Sequence, residues 1–277
     1  DGAVVLIDGG ATYERFDMGR SVVAPFLWNR GIRTVDHVIG THPQLDHVGG
    51  LAWILAHIRV GTFWTNGTVR QEEFWRRIER ALAQRKLDAT VATEGQVLFN
   101  GPACRMLVRN PQSRPNGSRS TQGDSLNNLS VVTELNCGEQ RLLFTGDIER
   151  EALTRLTQSG TLAHITVLKV PHHGAKSSLA RGWLETVRPD IAVVSAGRRN
   201  PYGHPAGDVL AAYQAVNAQI WRTDQEGAVW ADLDLARQQV TIHSTREWMF
   251  QPTLRSADLW SVEQENLRRL WRRWNWS

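Results

Sequence analysis

Cysteine is scarce in this sequence, which has only Cys104 and Cys137 among its 277 residues. The two form no CxxC pair, so a cysteine-rich metal site and a framework of several disulfides are excluded, and the cellular compartment stays open. No apolar run approaches the roughly 20 residues that a membrane-spanning helix needs. The N-terminus also lacks a basic segment followed by an apolar one. We therefore expect a soluble chain without a signal peptide.

Neither sign of charge dominates, and no segment has the composition of wholesale disorder. The net charge is +4, the sequence pI is about 9.5, and 41% of the residues are hydrophobic. This composition is sufficient for one sizeable core with an appended tail. The mild positive charge is compatible with a polyanionic substrate, although it does not require one.

Short apolar strands alternate with helices along the first 235 residues or so. We predict strands at 4–7, 35–39, 60–64, 130–135, 140–144, 167–170, 191–195, 220–221 and 229–233, and helices at 51–58, 71–85, 148–157 and 209–215. Polar and ionisable residues repeatedly stand just past the strand ends. This pattern predicts an α/β layered fold whose site is built on loops along one sheet edge. The first strand resembles half of a hairpin, so we expect the chain to be part of something longer.

The strongest local signal is the group His42, Asp46 and His47, which follows the strand predicted at 35–39. Imidazole and carboxylate are the ligands of zinc, manganese and iron(II) sites. On a loop after a strand, these three side chains can converge on one point. The alternative is a polar loop in which the histidines cap neighbouring backbone groups, and these residues alone do not decide between the two.

Three further groups with metal-binding or catalytic chemistry also follow strands. Asp147 could bind a metal, although taken alone it is better explained as an N-cap of the helix predicted at 148–157. His172 and His173 precede a glycine and favour ligation over a surface turn. His204, in a tight turn, could act as a general acid or contact a phosphate, or be only a turn residue. Their joint occurrence after apolar strands favours a metal site.

At these residues the sequence resembles the metallo-β-lactamase superfamily, and more narrowly the hydrolase domain at the end of ComEC-type DNA-uptake channel proteins. The matching stretches, in the family order, are Leu-Ile-Asp-Gly-Gly (6–10), Thr-His-Pro-Gln-Leu-Asp-His-Val-Gly-Gly (41–50), Asn-Asn-Leu-Ser-Val-Val (127–132), Thr-Gly-Asp (145–147), Lys-Val-Pro-His-His-Gly (169–174), Asn-Pro-Tyr-Gly-His-Pro (200–205) and Arg-Thr-Asp (222–224).

The resemblance implies an α/β fold, an αββα sandwich of two mixed sheets flanked by helices, with the metal site at one edge. We accordingly expect a hydrolase domain over residues 1–245, with its first strand upstream of the chain, and a Trp/Arg-rich amphipathic helical tail over residues 246–277. The resemblance also implies a parent protein in the cytoplasmic membrane, with a channel domain before this one and this domain on the extracytoplasmic side.

Two departures from the superfamily weaken one of its two metal sites. The superfamily loop is His-x-His-x-Asp-His, and Gln44 replaces the second histidine here. Many relatives have a further histidine where this sequence has Asn127 and Asn128. The resemblance therefore implies one firm site and one weak site. Oxygen ligands suit Mn²⁺ better than Zn²⁺, and we expect one or the other.

The resemblance assigns a role to each residue of this group. The firm site would use Asp46, His47, Asp147 and a histidine of the Pro-His-His-Gly turn, His172 being favoured over His173. The weak site would use His42 and Asp147. The remaining expected roles are catalysis by Asp46, His204 and Lys169, metal or substrate contact by Gln44, Asn128 and His173, and substrate binding by Asn127, Ser177 and Ser178.

The function expected from these residues is metal-dependent phosphodiester hydrolysis, with DNA strand degradation during uptake as the leading case. A metal-activated water would attack phosphorus, with Asp46 orienting it or accepting its proton. The alternatives are a phosphodiesterase on a small or cell-wall substrate and a non-catalytic DNA-binding module.

Two basic segments could support binding to a DNA strand. Arg114 and Arg119 belong to a long polar loop predicted at 110–128, which is either a lid or disorder, and Arg109, which directly precedes it, is placed with them. In the tail, Arg268, Arg269, Arg272 and Arg273 interleave with Trp271, Trp274 and Trp276. Guanidinium and indole groups could engage phosphates and stacked bases. A tail helix that packs its Trp on the domain explains the pattern better, and a membrane-surface role is a further option.

Overall fold

The computed structural model describes residues 2–112 and 125–246. The strands are β1 Val5–Ile7, β2 Thr34–Gly40, β3 Arg59–Thr65, β4 Ala89–Val91, β5 Val97–Asn100, β6 Cys104–Asn110, β7 Val132–Cys137, β8 Gln140–Phe144, β9 Val167–Lys169, β10 Ile191–Val194, β11 Gln219–Arg222, β12 Val229–Asp234 and β13 Gln239–Ser244. The helices are α1 Ala24–Asn29, α2 Leu45–Val48, α3 Leu51–His57, α4 Glu73–Arg85, α5 Arg150–Gln158, α6 Arg181–Val187, α7 Gly207–Ala215 and α8 Thr223–Glu226, with a π-helical turn at Gly19–Val23. Within these described ranges, no helix is both long and apolar enough to cross a membrane.

Four parallel strands form the first sheet, in the order β1-β2-β3-β4. Val35, Val38 and Ile39 of β2 are fully buried, as expected for a strand inside a parallel sheet. Helices α1, α3 and α4 cover one face. Helix α4 supports this packing because Trp75, Ile78 and Leu82 recur at helical spacing and are buried.

Seven strands form the second sheet, in the order β11-β10-β9-β8-β7-β6-β5. The strands from β8 to β11 are parallel, and those from β5 to β8 are antiparallel, so this sheet is mixed. Helices α5, α6 and α7 pack on its outer face over Leu143, Leu168 and Ala192. The β12–β13 hairpin contributes Leu233 and Ile242 to a small cluster over Leu142 and Val167 on the inner face.

The two sheets face each other across an apolar layer. Ile39 and Trp64 of the first sheet share this layer with Met106, Val108 and Val131, which lie in or beside the second sheet. The predicted α/β sandwich with helices on both sides is therefore confirmed. It differs from the expectation in one respect, because the described strands of the four-stranded sheet all run parallel.

Strands β4, β5 and β6 were not predicted, and one consequence concerns the cysteines. Cys104 of β6 stands opposite Cys137 of β7, with 4.2 Å between their Cα atoms, and the two sulphurs form a disulfide. The sequence contained both residues but not their register. A single cross-strand bridge therefore joins these neighbouring strands.

Arg109 also differs from the sequence-based prediction. It was placed in a long loop, whereas it lies in β6 and its Nε donates to Glu134 Oε2 at 2.6 Å. Glu134 is fully buried and also accepts from Arg141 at 2.7 Å. Arg109 therefore anchors a buried carboxylate. Arg114, Arg119 and the C-terminal tail lie outside the described residues.

Candidate metal centre

The site lies where the ends of β1 and β2 meet the ends of β8, β9 and β10. The backbone after β2 turns into the short helix α2, and this turn presents His42, Asp46 and His47. His42 and His47 are buried, with their ring centroids 4.2 Å apart, whereas the Asp46 side chain is 57% exposed. The three residues predicted from the sequence therefore come together, and two of them are inside the protein.

Asp8, which follows β1, fixes the orientation of His47. Its carboxylate accepts hydrogen bonds from the Thr41 amide at 2.8 Å and the Thr41 hydroxyl at 2.9 Å, and it lies 2.7 Å from His47 Nδ1. The opposite ring nitrogen of His47 therefore points towards Asp147. Sequence reasoning gave Asp8 no role, although a carboxylate directly after an apolar strand was the available signal.

Asp147 reaches the site from the turn after β8. Helix α5 begins only at Arg150 with Glu149 as its N-cap, so Asp147 is not a helix cap. Gly146 has φ +54°, and a Cβ there would lie 2.7 Å from Ser130 Cβ, so this turn requires glycine. Ser130 Oγ accepts from the Asp147 amide at 3.1 Å. The carboxylate is thereby held 3.0 Å from His47 Nε2.

The Pro-His-His-Gly turn after β9 holds two strained residues. His172 and His173 have φ values of +46° and +55°, a region that residues other than glycine rarely adopt. The turn directs His173 Nε2 to 3.1 Å from Asp147 Oδ2, while His172 Nε2 stays 3.9 Å from the same oxygen. His172 Nδ1 instead lies 3.3 Å from Glu149 Oε1. The geometry thus favours His173 over His172, the reverse of the sequence-based preference.

Two overlapping groups of side chains could each hold a cation. Potential ligand atoms lie within 4.8 Å of one another in His42, His47 and Asp147, and likewise in Asp46, His47 and His173. His42 Nε2 and Asp147 Oδ1 are buried without a hydrogen-bond partner in the described structure. Because buried polar atoms are nearly always satisfied, these two orphaned atoms fit a cation. Imidazole and carboxylate are also a suitable donor set for zinc or manganese.

Burial, neighbouring charges and hydrogen bonds determine which residues of the group are protonated. Burial would lower the pKa of His47, but the Asp8 charge and hydrogen bonds to Asp147 and Asp8 raise it to about 10. Burial, together with the positive charge on His47, lowers the pKa of His42 to about 4. Burial would raise the pKa of Asp147, but hydrogen bonds from His173 and His47 and the Lys169 charge hold it well below its usual range. Without a cation, His47 is therefore a protonated ring between two carboxylates.

The two departures from the superfamily pattern lie against each other. Gln44 Nε2 donates to Asn127 Oδ1 at 2.7 Å. Asn128, a possible metal or substrate contact in the sequence-based prediction, has both ends of its side-chain amide hydrogen-bonded. Its Oδ1 accepts from the Glu149 amide at 2.8 Å, and its Nδ2 donates to Glu151 at 3.0 Å. Asn128 is thus committed to the start of α5.

The remaining predicted residues are divided between the site and its supports. Lys169 Nζ donates to the Gly146 carbonyl at 3.0 Å and lies 3.6 Å from Asp147 Oδ1. The His204 ring lies 5.8 Å from the His172 ring. Its pKa is lowered by burial and by the charges on His172 and His173.

The two predicted serines differ. Ser177 Oγ is 3.4 Å from His172 Nδ1, at the edge of the site. Ser178 is buried and donates to the Ala175 carbonyl at 2.7 Å. Its hydroxyl is directed into the turn, and the substrate contact expected of Ser178 stays a prediction.

Comparison with known proteins confirms the resemblance stated from the sequence. Residues 1–97 match the family model described as the metallo-beta-lactamase superfamily. The chain is 28% identical over 236 residues to ComE operon protein 3 of Bacillus subtilis, covering 81% of this chain and 29% of that protein. It is 27% identical over 235 residues to competence protein ComA of Neisseria gonorrhoeae, covering 82% and 30%. The chain thus spans less than a third of the length of these curated relatives.

A solved structure is also similar to this chain. It is human tRNase Z, short form, with a TM-score of 0.41 and 11% identity over 78% of each chain. The family match and the His/Asp group together support a metal-binding hydrolase.

Proposed function

We propose that this relative of the metallo-beta-lactamase superfamily, whose first 97 residues match the family model, is a divalent-metal phosphodiesterase that acts as a nuclease on DNA during its uptake. The observation that carries the proposal is the pair of overlapping ligand groups around His47, with orphaned atoms on His42 and Asp147. Support for DNA as the substrate comes from the similarity to a competence protein and from the mildly basic chain.

Each residue of the site has a separate task in this proposal. We assign Asp46, His47, Asp147 and His173 to the firm cation site, and His42 with Asp147 to the weaker one. A bound divalent cation would supply charge neutralisation at the phosphoryl oxygens and activation of water near neutral pH. Asp46 is exposed enough to meet the water and accept its proton. His204 is placed at the edge to donate a proton or grip a phosphate.

The supporting residues keep this arrangement in place. Asp8 orients His47 through Nδ1, as partners of metal-binding histidines commonly do. Lys169, which we had expected to be catalytic, is directed at the Gly146 carbonyl and Asp147, so we assign it the task of holding Asp147 charged. Ser177 and Asn127 remain candidates for substrate contact.

Manganese is the preferred cation in this proposal. The weaker site has lost two imidazoles to Gln44 and Asn127, and these amides hydrogen-bond each other beside the cluster. Amide and carboxylate oxygens favour Mn²⁺ over Zn²⁺. We expect purified protein to retain one cation firmly and a second weakly, and two tightly held zinc ions per chain would contradict this assignment.

The decisive test is cleavage of single- and double-stranded DNA across a panel of Mg²⁺, Mn²⁺, Co²⁺ and Zn²⁺. We expect metal-dependent cleavage that falls by two or more orders of magnitude in Asp46→Asn, the usual size of a general-base effect of roughly 10²–10⁴. Asp190→Asn is the matched control, because Asp190 is an exposed carboxylate paired with His164. Hydrolysis of a chromogenic phosphodiester without DNA cleavage would instead select a small substrate, and salt-dependent binding without any cleavage would select a binding module.

The same proposal puts the domain outside the cytoplasmic membrane, joined to a channel domain of a longer parent. The support is the Cys104–Cys137 bridge, because disulfides persist in oxidising compartments. In cells that express the parent, a thiol-reactive polyethylene glycol should label this pair only after reduction. Labelling of both cysteines without a reductant would contradict the placement.

A further inference from the structure

The aromatic ring of Tyr202 stands in solvent beside the proposed cation site. Its side chain is 78% exposed, the largest exposure among the large hydrophobic residues that the structure describes. A ring this exposed adds little to the core, so packing does not account for it. The neighbouring Arg198 and Arg199 are exposed as well. Exposed aromatic rings combined with cationic side chains are the groups with which proteins bind unpaired nucleic-acid strands.

A chain of rings connects Tyr202 to the site. The Tyr202 ring is nearly parallel to the His204 ring, with an interplanar angle of 19° and 5.9 Å between centroids. His204 lies 5.8 Å from His172, and His172 lies 6.2 Å from His173. Three successive ring contacts therefore connect Tyr202 to the histidine turn, where a phosphate would be held.

The Asn200 side chain holds the turn that carries Tyr202 together. Asn200 Oδ1 accepts from the His204 amide at 3.0 Å, and its Nδ2 donates to the His204 carbonyl at 2.7 Å. At Gly174 a Cβ would lie 2.6 Å from Pro205 Cβ, so this turn packs directly on the turn of the two histidines. The backbone that carries Tyr202 is thus held against the histidine turn, as a stacking surface requires.

We propose that Tyr202 is a base-stacking platform that receives the unpaired base next to the scissile phosphate, and so makes the site selective for single-stranded nucleic acid. The proposal rests on the proposed function and specifies its substrate class. Stacked bases within a duplex are unavailable to such a platform, whereas every base of a single strand offers a ring face. Arg199, three positions before Tyr202, would meet a neighbouring phosphate.

The test compares Tyr202→Ala and Tyr202→Trp with the wild-type protein in Mn²⁺. On a single-stranded oligonucleotide, Tyr202→Ala should raise KM by about 5- to 150-fold, from the usual size of base–aromatic stacking, with kcat little changed. Tyr202→Trp, which keeps an aromatic face, should keep the wild-type KM. On the same oligonucleotide made abasic at the nucleotide beside the cleaved bond, wild type and Tyr202→Ala should have equal KM. Phe26→Ala is the matched control, since Phe26 is 52% exposed on α1 and should matter for neither substrate.

The outcomes separate the two proposals. Equal KM for wild type and Tyr202→Ala on the base-bearing strand would overturn the platform while leaving the nuclease intact. A fall in kcat on both substrates would show that Tyr202 only supports His204, which also overturns it. Fluorescence anisotropy of a labelled single strand extends the test to a protein that does not cleave. If the wild-type protein then binds the labelled strand and Tyr202→Ala binds it equally tightly, the platform proposal is overturned. If wild type neither binds nor cleaves, both proposals fail.

Discussion

At the residue scale, the chemistry is concentrated on one imidazole. His47 lies between Asp8 and Asp147, 2.7 Å from one carboxylate and 3.0 Å from the other. It also belongs to both groups that could hold a cation. The contacts that fix its ring should therefore strongly influence metal affinity.

Replacing Asp8 with Asn tests this control. The amide keeps the size of the side chain but removes the charge that orients and polarises His47, and losses of this kind weaken metal affinity by about 10- to 100-fold. Calorimetric titration with Mn²⁺ gives the affinity. Asp36→Asn is the control, because Asp36 accepts only from the Val4 amide away from the site. Unchanged affinity in Asp8→Asn would contradict the assignment.

Metal binding should release a proton from His47. Its pKa of about 10 means that the ring is charged at neutral pH, whereas a metal-bound imidazole must be neutral. We expect apparent affinity to rise with pH up to about 10 and the binding heat at pH 7 to depend on the ionisation enthalpy of the buffer. The same heat in phosphate and in Tris would disprove this release.

In the metal-free protein, the stability of the fold should fall as the pH rises. Because the folded-state pKa of His47 is raised above its ordinary value of 6.5, its contribution to stability is complete below pH 6.5 and is lost as the pH rises through about 10. Thermal melts in a chelator should therefore show a melting temperature that falls between pH 6.5 and 10. A melting temperature that is flat or rises across this window would contradict the charged His47.

At the element scale, strands β6 and β7 depend on two features that the sequence did not disclose. Glu134 is fully buried between Arg109 and Arg141, and Cys104 is bridged to Cys137. In both cases residues far apart in sequence become partners only through strand register. Neither pairing was predictable, because the prediction had no β6.

The buried carboxylate gives a stability prediction. Glu134→Gln should cost about 3–5 kcal/mol, since removing one member of a buried ion pair leaves the rest uncompensated. The free energy of unfolding in urea measures this loss. The exposed Glu73, which pairs with Arg77 and Arg80 on the surface of α4, provides the control, and Glu73→Gln should leave the unfolding midpoint where it was. Equal midpoints for the two variants would show that the pair at Glu134 adds nothing.

The disulfide should also stabilise the fold. It closes a loop of 33 residues, for which chain entropy gives about 3–4 kcal/mol. We expect the double variant Cys104→Ser, Cys137→Ser to lose that amount in urea unfolding. Reduction of the wild type should reproduce the loss, whereas the double variant should be insensitive to the reductant. Equal stability of the oxidised and reduced wild type would refute the expectation.

At the scale of the whole molecule, the site couples the two sheets. His42 and His47 follow a strand of the four-stranded sheet, whereas Asp147 and His173 follow strands of the seven-stranded one. A cation held by both sets would tie the two halves of the sandwich together. Metal should therefore stabilise the entire fold and not only the loops.

Thermal unfolding with and without Mn²⁺ tests this coupling. At a concentration of 100 times the dissociation constant, binding to the folded state adds about 2.7 kcal/mol, or roughly 5–10 °C for a protein of this size. Asp147→Asn should abolish the shift. His164→Asn, which alters an exposed histidine outside the site, should retain it. A shift in Asp147→Asn as large as in the wild type would mean that the cation binds elsewhere.

The sequence determined the class of fold, the order of most elements and the composition of the site. Short apolar runs identified β2, β8, β9 and β10, because strands buried on both faces carry nearly continuous apolar residues. The residues that follow those strands were visible as metal ligands because their chemistry is local. The helix start at 148 was predicted two residues early, which left the role of Asp147 open until the structure showed that α5 begins at Arg150.

Only the tertiary structure decided which of these residues face one another. The left-handed turn at His172 and His173 directs the second ring inward, and sequence carries no signal for that choice. Asn128 accepts a hydrogen bond from the Glu149 amide at the start of α5, and Ser178 donates one to the Ala175 carbonyl. Both follow the rule that buried polar groups are nearly always hydrogen-bonded. The stack of Tyr202 on His204 and the bridge between Cys104 and Cys137 likewise depend on contacts between distant segments. The chemistry of each side chain follows from its residue type, but the distances between side chains depend on how the whole chain packs.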